Sequence, residues 1–350
     1  MKVKVSEGLL TRKNNFDIIR FLASLMVVWF HSYPLTLGIT GGTDQLAFLT
    51  GGQVTFGGLA VMIFFIISGF LITMSYDRSN DLTKFTKARI LRIFPGVIFV
   101  VLLSTFVLGP LVTNIELKEY LTNFQTYKYL LAMSLYKMQY ALPGVFETNV
   151  YPIAVNGSLW TLWYELVCYA VVAFLGVTKI LKRQVSVLLF IFALICSFFN
   201  ISGDNYIYLF LFFSAGMVFY FYKEHIQLSH LYAIIALVFL ILFTKIGFFN
   251  EGFAIFGTYL LLYLSLGPVF KFSNFSKYGD LSYGIYIFSF PIQQCVTLYF
   301  QNQLSPLKNF LVSLPFILFF SFISWHVVES KFMLLKDKKM KDLIPFRKQA

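Results

Sequence analysis

The stretch FDIIRFLASLMVVWFH, residues 16–31, is apolar enough for lipid and yet carries Asp17, Arg20 and His31. On an α-helix, the eleven-residue step from Arg20 to His31 makes close to three turns, which puts both side chains on one face about 16 Å apart. Burying an ionisable side chain in a bilayer costs at least about 2.5 kcal/mol, so such residues face protein or a water-filled cavity. The stretch therefore predicts a membrane-spanning helix with one functional face.

The composition of the whole chain agrees with a membrane protein. Of its 350 residues, 58% are hydrophobic and only 13% are charged, which is far from the composition of soluble globular domains. No cleavable signal sequence is visible near the N-terminus, so we expect the first apolar helix to be retained as a span. The net charge of +12 does not require a nucleic-acid partner, because excess Lys and Arg on the cytoplasmic side of a membrane protein explains it.

Apolar windows of the length that a bilayer needs predict an all-α, polytopic protein with about ten transmembrane helices. With the N-terminus in the cytoplasm, most of the 28 Lys and Arg residues fall in inner segments, including the C-terminal run KDKKMKDLIPFRK. Both termini are therefore predicted to be cytoplasmic. The windows are 16–36, 56–76, 93–110, 158–176, 184–200, 206–222, 229–248, 253–270, 281–300 and 310–329.

The segment 111–157 lies outside the membrane in this topology, and we expect it to be interfacial or re-entrant. Its part 129–143 is apolar but short and contains Lys137, so the sequence leaves open whether that part is interfacial, re-entrant or spanning. An eleventh span here would place the basic C-terminus outside, against the charge rule. We predict one domain, residues 1–350, without an appended soluble domain.

A second polar cluster, KFTKARILRIFPG, places Arg89 and Arg92 three residues apart at the inner end of the third window. This spacing puts both guanidinium groups on one helix face. Two arginines beside a helix N-terminus would suit phosphate, which such termini bind through free N–H groups. The alternative is that they only anchor the helix at the lipid headgroups.

A third cluster, NGSLWTLWYELVCY, begins at Asn156 and places Glu165 about two turns inside the fourth window. A carboxylate at that depth needs a partner, and His31 is an attractive one because both residues fall in the outer half of the membrane. The alternative is a purely structural ion pair or hydrogen bond between two helices. We expect no metal site, because His225, His230 and His326 lack metal-ligand spacing.

Together these clusters resemble the acyltransferase-3 family of integral membrane acyltransferases, which O-acylate carbohydrates of bacterial surfaces. The resemblance covers nearly the whole chain in family order, with departures at Ser289, where many members have histidine, and at Trp163, where proline is common. The motifs that carry it are FDIIRFLASLMVVWFH, FFIISGFLI, ARILRIFP, NGSLWTLWYE and DLSYGIYIFSFP.

The resemblance implies a bacterial cytoplasmic-membrane enzyme that uses acetyl-CoA, or another acyl-CoA, and no metal. It implies an acceptor hydroxyl on a surface polysaccharide or on its lipid-linked precursor, and it leaves the oligomeric state open. The residues that it assigns to catalysis are His31 and Glu165, and those that it assigns to the donor are Arg20, Ser68, Arg89 and Arg92.

A mechanism follows from these assignments. The donor would enter from the cytoplasm with its phosphates near Arg89 and Arg92, and its long arm would pass Arg20. His31 would then take the proton of the acceptor hydroxyl while Glu165 orients the imidazole ring. An acyl-histidine relay is the alternative, which the sequence does not separate from direct transfer.

Two further questions stay open at the level of sequence. Aromatic side chains crowd the 111–157 segment, where they are explained either by sugar binding or by an interfacial aromatic belt. A transporter or flippase of a lipid-linked glycan is the alternative function, with Arg20, His31 and Glu165 as its relay. The aromatic residues are Tyr120, Phe124, Tyr127, Tyr129, Tyr136, Tyr140 and Phe146.

Overall fold

The computed structural model describes residues 2–10, 13–199, 201, 205–272 and 275–336, and in this part of the chain helices dominate. The predicted all-α class is confirmed, apart from one pair of three-residue strands. The elements are β1 (Lys2–Lys4), α1 (Val5–Leu10), α2 (Phe16–Leu37), α3 (Gln45–Leu49), α4 (Phe56–Ser79), α5 (Leu82–Val112), α6 (Leu117–Thr122), α7 (Phe124–Lys128), α8 (Trp160–Val177), α9 (Arg183–Phe198), α10 (Asn205–Phe221), β2 (Gln227–Ser229), α11 (His230–Lys245), α12 (Phe249–Leu266), α13 (Ser282–Tyr299) and α14 (Pro306–Met333).

Six of the described helices are long and apolar enough to cross a bilayer: α2, α4, α5, α8, α12 and α14. Helices α9, α10 and α11 are apolar but shorter, and α13 occupies the ninth predicted window. Each of the ten predicted windows thus coincides with a helix, and six of these helices meet the length and composition that a span requires.

The segment 111–157 folds over the ends of α5 and α13 and contains only short helices. Its α6 and α7 have six and five residues, and a single 3₁₀ turn, Tyr129–Ser134, covers much of 129–143. The Tyr120 hydroxyl donates to the backbone oxygen of Thr105 in α5 (2.8 Å), and the Asn149 amide donates to that of Gln294 in α13 (3.0 Å). The segment is therefore anchored to two helices at the same end of the bundle.

Helix α4 lies at the centre of the bundle, where it packs against α2, α8 and α10. The contact with α10 is backbone to backbone, because a Cβ atom on Gly69 would lie 1.9 Å from the Phe213 oxygen. On the other side of the same contact, a Cβ on Gly216 would lie 2.2 Å from the Ile66 oxygen. The glycine of the ISGF motif is thus explained by close helix packing.

The N-terminal residues close onto the opposite end of the bundle from the 111–157 segment. Strand β1 pairs antiparallel with β2, with Lys2 opposite Ser229. After α1, the backbone N–H of Asn15 donates to the Ser265 oxygen at the end of α12 (3.0 Å). The basic run after Lys336, and with it the predicted cytoplasmic C-terminus, lies outside the described residues.

Candidate functional site

Two cavities lie inside the bundle, and the predicted site residues are divided between them. The first, which we call the arginine cavity, has a volume of about 310 Å³. The second, the histidine cavity, has a volume of about 240 Å³ and is lined by His31. The predicted residues in the wall of the arginine cavity are Arg20, Ser68, Arg89, Arg92 and Glu165.

The arginine cavity contains a counter-ion that was not predicted, Asp280 from the DLSYG motif. Its carboxylate accepts hydrogen bonds from Arg92 (2.6 Å) and from Arg20 (3.3 Å). Burial alone raises the pKa of Asp280, but the charges of Arg92 and Arg20 and hydrogen bonds from Ser282 outweigh burial and lower it. The sequence signal was an aspartate directly before an apolar helix. Asp280 is thus held ionised between two of the three cavity arginines.

The second carboxylate near Arg92 is that of Glu329, the last residue of a π-helical turn in α14, Ser324–Glu329. Glu329 lies 3.8 Å from Arg92 and accepts a hydrogen bond from the Ser324 hydroxyl (2.7 Å). The Arg92 guanidinium also lies over the rings of Tyr283 and Trp325, at 5.5 and 5.9 Å from their centroids. The charge of Arg92 is therefore already paired with two protein carboxylates.

Arg89 differs from Arg92 in this respect. Its Nε atom is buried and has no hydrogen-bond partner, and no carboxylate among the described residues forms an ion pair with it. Its guanidinium lies 6.0 Å from the ring centroids of Phe85 and Tyr169. Of the two arginines in the ARILR motif, Arg89 is the one whose charge no carboxylate of the described residues neutralises.

The prediction that a helix N-terminus contributes to phosphate binding beside Arg89 and Arg92 is wrong. Helix α5 begins at Leu82, seven residues and roughly 10 Å before Arg89. Its first turn is capped by Asp81, which accepts from the backbone N–H of Lys84 (3.0 Å). The positive charge in the cavity thus comes from the arginine side chains and not from free N–H groups at a helix N-terminus.

The expected contact between Glu165 and His31 is also absent. Glu165 accepts hydrogen bonds from the hydroxyls of Ser68 (3.3 Å) and Tyr169, which line the arginine cavity with it. The partner of Glu165 therefore comes from α4 and from the next turn of α8. The prediction failed because the depth of Glu165 in the membrane does not fix the direction in which its helix face points.

His31 lines the histidine cavity and is 9% exposed. Its Nδ1 atom is buried without a hydrogen-bond partner, and the edge of the Phe290 ring packs against the imidazole at a centroid distance of 5.2 Å. The hydroxyl of Ser158, in the same cavity wall, is likewise buried and without a partner. Two polar groups thus face this cavity with unused hydrogen-bonding capacity.

The NGSLW motif holds this wall in place against α13. Pro291 has no N–H, so the Ile287 oxygen loses its helical partner, and the Asn156 amide donates to that oxygen instead (2.9 Å). Gly157 gives the Phe290 ring its space, because a Cβ there would lie 2.6 Å from a ring carbon. The side-chain oxygen of Asn156 also accepts from the backbone N–H of Ser158 (3.0 Å).

The two cavities lie end to end along the bundle. Along α4, Val61 lies toward the histidine cavity and Ser68 toward the arginine cavity, about 10 Å apart along the helix axis. Among the described lining residues, the cavities share Val61 and Tyr286. The Tyr286 hydroxyl hydrogen-bonds to that of Thr161, and its ring packs edge-on against Phe64 at 5.9 Å. Val61 and Tyr286 therefore form a waist between the cavities.

The structure separates the aromatic residues of the 111–157 segment into two groups. Tyr120, Tyr129 and Phe146 are buried, so they stabilise the segment. The other four have exposed rings. These are Phe124, Tyr127, Tyr136 and Tyr140.

The positions that depart from the family pattern have structural roles here. Ser289 is buried and donates to the Tyr286 oxygen (3.2 Å), which is within its own helix. The Trp163 indole donates to the Tyr206 hydroxyl (2.8 Å) and packs against Tyr136. Among the described residues, no three His, Cys, Asp or Glu side chains are grouped so that they could hold a metal ion.

Comparisons with known proteins identify the family of the chain. The acyltransferase-3 family, described as an acyltransferase domain, matches residues 13–326. An O-acetyl transferase of Shigella phage Sf6 is 28% identical over 347 residues, which cover 94% of this chain and 98% of that protein. Nodulation protein 10 of Rhizobium leguminosarum bv. viciae is 34% identical over 164 residues, which cover 45% of this chain and 42% of that protein.

No solved structure matches the chain significantly. The family match covers almost the full length of the chain, and the alignment with the phage O-acetyl transferase covers nearly the whole of both proteins. The chain is therefore an O-acetyltransferase enzyme, and it belongs to the acyltransferase-3 family of membrane proteins.

Proposed function

We propose that this enzyme takes an acetyl group from acetyl-CoA on the cytoplasmic side and transfers it to a hydroxyl of a bacterial surface carbohydrate or its lipid-linked precursor. The observation that carries the proposal is the pair of cavities that lie end to end. Arg20 and His31 project into them from one helix, about 16 Å apart along its axis. Such a site suits a donor with anionic groups at one end and a thioester at the other.

The arginine cavity fits an acyl-CoA donor. It presents three guanidinium groups against two carboxylates in its wall, and the buried Nε of Arg89 lacks a partner. Arginine binds phosphate through paired, charge-assisted hydrogen bonds. Beyond the charged end, aliphatic and aromatic side chains line the cavity up to Val61, which suits a thin and mostly uncharged arm.

At the histidine cavity, His31 acts as the general base. In its neutral form the imidazole has one ring nitrogen that can accept the proton of the acceptor hydroxyl. The hydroxyl oxygen bonds to the carbonyl carbon, the carbon–sulfur bond breaks, and the proton passes from His31 to the departing thiolate. If the acyl group instead rests briefly on His31, it crosses the same waist first.

Glu165 acts on the donor side of the waist in this proposal. Its carboxylate is held by Ser68 and Tyr169, and it faces the arginine cavity. There it can accept hydrogen bonds from amide N–H groups in the arm of the donor. Its effect on the reaction is then to position the thioester, without contacting His31.

The membrane topology in this proposal has ten spans, cytoplasmic termini and an outer 111–157 segment. The pairing of β1 with β2 supports it, because six apolar helices, α2, α4, α5, α8, α9 and α10, separate the two strands, and an even number of crossings returns the chain to the same side. Labelling of single cysteines by an impermeant reagent tests this topology. A cysteine at Lys84 should react only from the cytoplasm and one at Lys128 only from outside.

The acceptor reaches His31 from the end of the bundle that the 111–157 segment covers. The histidine cavity there has Trp160 and Tyr208 in its wall, and aromatic rings pack well against sugar rings. The bacterial cytoplasmic membrane is the location that this proposal requires, since it brings cytoplasmic acetyl-CoA and an outward-facing glycan to one protein.

Mass spectrometry of surface glycans with and without the gene, followed by transfer from labelled acetyl-CoA by the purified protein in nanodiscs, tests the function. We expect an acetyl group on the glycan that depends on the gene and on His31. Loss of the whole glycan from the surface, with unchanged acetylation of what remains, would instead support a flippase. Failure of the purified protein to bind acetyl-CoA would refute the proposal that acetyl-CoA is the donor.

A further inference from the structure

The hydroxyl of Ser158 is a polar group that the proposed mechanism does not yet use. Ser158 is 1% exposed, and its Oγ atom has no hydrogen-bond partner among the described residues. Buried hydroxyls in folded proteins are almost always hydrogen-bonded, so an unpartnered one calls for a specific explanation. The same cavity wall contains His31, whose Nδ1 is also unpartnered.

The backbone of Ser158 is fixed independently of its hydroxyl. Asn156 joins α13 through the Ile287 oxygen and accepts from the Ser158 N–H, while Gly157 packs directly against the Phe290 ring. That ring in turn contacts the His31 imidazole. The position of the Ser158 hydroxyl relative to His31 is thus set by one connected group of residues, which is the kind of preorganisation that catalysis requires.

We propose that Ser158 is a catalytic hydrogen-bond donor to the carbonyl oxygen of the acyl group during transfer. This inference rests on the proposed function. When the acceptor oxygen bonds to the carbonyl carbon, its proton passes to His31 and negative charge collects on the carbonyl oxygen. The Ser158 O–H donates to that oxygen, and it forms no covalent bond. When the carbon–sulfur bond breaks, an electron pair of that oxygen re-forms the carbonyl double bond, the bonding pair leaves with the sulfur, and the sulfur takes the proton from His31.

The wall of the histidine cavity contains a second hydroxyl next to a helix start, that of Thr55, and this hydroxyl already has a hydrogen-bond partner. Thr55 accepts from the backbone N–H of Gly58 and thereby caps α4. Ser158 precedes α8 by two residues and caps nothing in this way. Its side chain is therefore available to the reacting group.

Ser158→Ala tests the inference in the purified full-length enzyme, and Ser313→Ala is the matched control. Ser313 is also fully buried with an unpartnered hydroxyl, but it lies in α14 and lines neither cavity. Loss of one oxyanion donor lowers kcat by about 10²–10³-fold. We expect that fall for Ser158→Ala, with acetyl-CoA and acceptor KM values close to wild type and an unchanged pH profile. Ser313→Ala should keep its kcat within a few-fold.

Other results of these measurements would overturn either the role of Ser158 or the proposed function. A Ser158→Ala enzyme that keeps more than a tenth of the wild-type kcat would overturn the inference and leave the proposed function intact. A raised acceptor KM with normal kcat would also overturn it, because Ser158 would then bind the acceptor. If Ser158→Ala does not fold, Ser158→Cys keeps the shape with a weaker donor, and a normal kcat in that variant would refute the role. A wild-type enzyme without transfer from acetyl-CoA would instead refute the proposed function.

Discussion

Arg89 and Arg92 belong to one motif, and yet the structure predicts that their removal has different effects. Arg92 contacts Asp280 at 2.6 Å and Glu329 at 3.8 Å, and the side chains of these two acids are only 17% and 2% exposed. Arg89 has no such partners among the described residues. We therefore expect Arg92→Ala to act mainly on stability and Arg89→Ala mainly on donor binding.

The magnitude for Arg92→Ala follows from the carboxylates that it leaves behind. Removing one partner of a buried ion pair costs about 3–5 kcal/mol, because the other charge stays buried without compensation. Asp280 keeps Arg20 at 3.3 Å, whereas Glu329 loses its ion-pair partner. We expect the apparent Tm to fall by roughly 5 °C or more.

The magnitude for Arg89→Ala follows from the hydrogen bonds that it would make to phosphate. A charge-assisted hydrogen bond contributes about 1.5–3 kcal/mol, and each 1.4 kcal/mol changes an affinity about tenfold. The Kd for acetyl-CoA should therefore rise by about 10–100-fold. The apparent Tm should stay near that of the wild type, because no buried carboxylate loses its partner.

Both variants can be measured in nanodiscs by the same pair of assays, thermal unfolding followed by tryptophan fluorescence and equilibrium dialysis with labelled acetyl-CoA. Arg92→Ala combined with Glu329→Ala is the control, since removing both charges of this pair should recover part of the lost stability. An unchanged Kd in folded Arg89→Ala would refute the donor role of this residue. A wild-type Tm in Arg92→Ala would refute the ion-pair argument.

Three further predictions concern catalysis, selectivity and packing. His31→Ala should keep acetyl-CoA binding and lose about 10²–10⁴-fold in transfer rate, and retention of more than a tenth of that rate would refute a general base. Val61→Ala should widen the waist and raise kcat/KM for butyryl-CoA relative to acetyl-CoA by about tenfold or more. Leu59→Ala, in α4 but in neither cavity wall, should leave that ratio unchanged, and equal ratios in both variants would exclude selection at the waist. Gly69→Ala should lower the apparent Tm, because the added Cβ would meet the backbone of α10. Gly58→Ala should not, because the atoms nearest to its added Cβ would lie 3.4 Å away. Equal Tm values in the two variants would contradict this packing.

The positions of the helices were predictable from the sequence, and so was which polar residues share a helix face, because both depend on local periodicity. Arg20 and His31 share a face over eleven residues of one helix, and both do line the bundle interior. The spacing of Arg89 and Arg92 correctly predicted one face as well. In each case the geometry of a single helix was enough.

The contacts between helices were not predictable in this way. Glu165 was expected near His31 from depth alone, but the rotation of α8 directs it to Ser68. Asp280, just before α13, and Glu329, at the end of a π-helical turn in α14, reach Arg92 from two other parts of the chain. Which partner neutralises a buried charge is decided by packing between segments that lie far apart in the chain.

The strand pair of β1 and β2 has a consequence for how the protein is made. Lys2 leaves the ribosome early, but its partner Ser229 is synthesised more than 200 residues later. At typical rates of translation this delay is roughly 10–45 s, during which the N-terminal strand stays unpaired while the intervening helices are synthesised. Closure of this small sheet is thus a late event in biogenesis, and a bulky domain fused ahead of Met1 would obstruct it without touching either cavity.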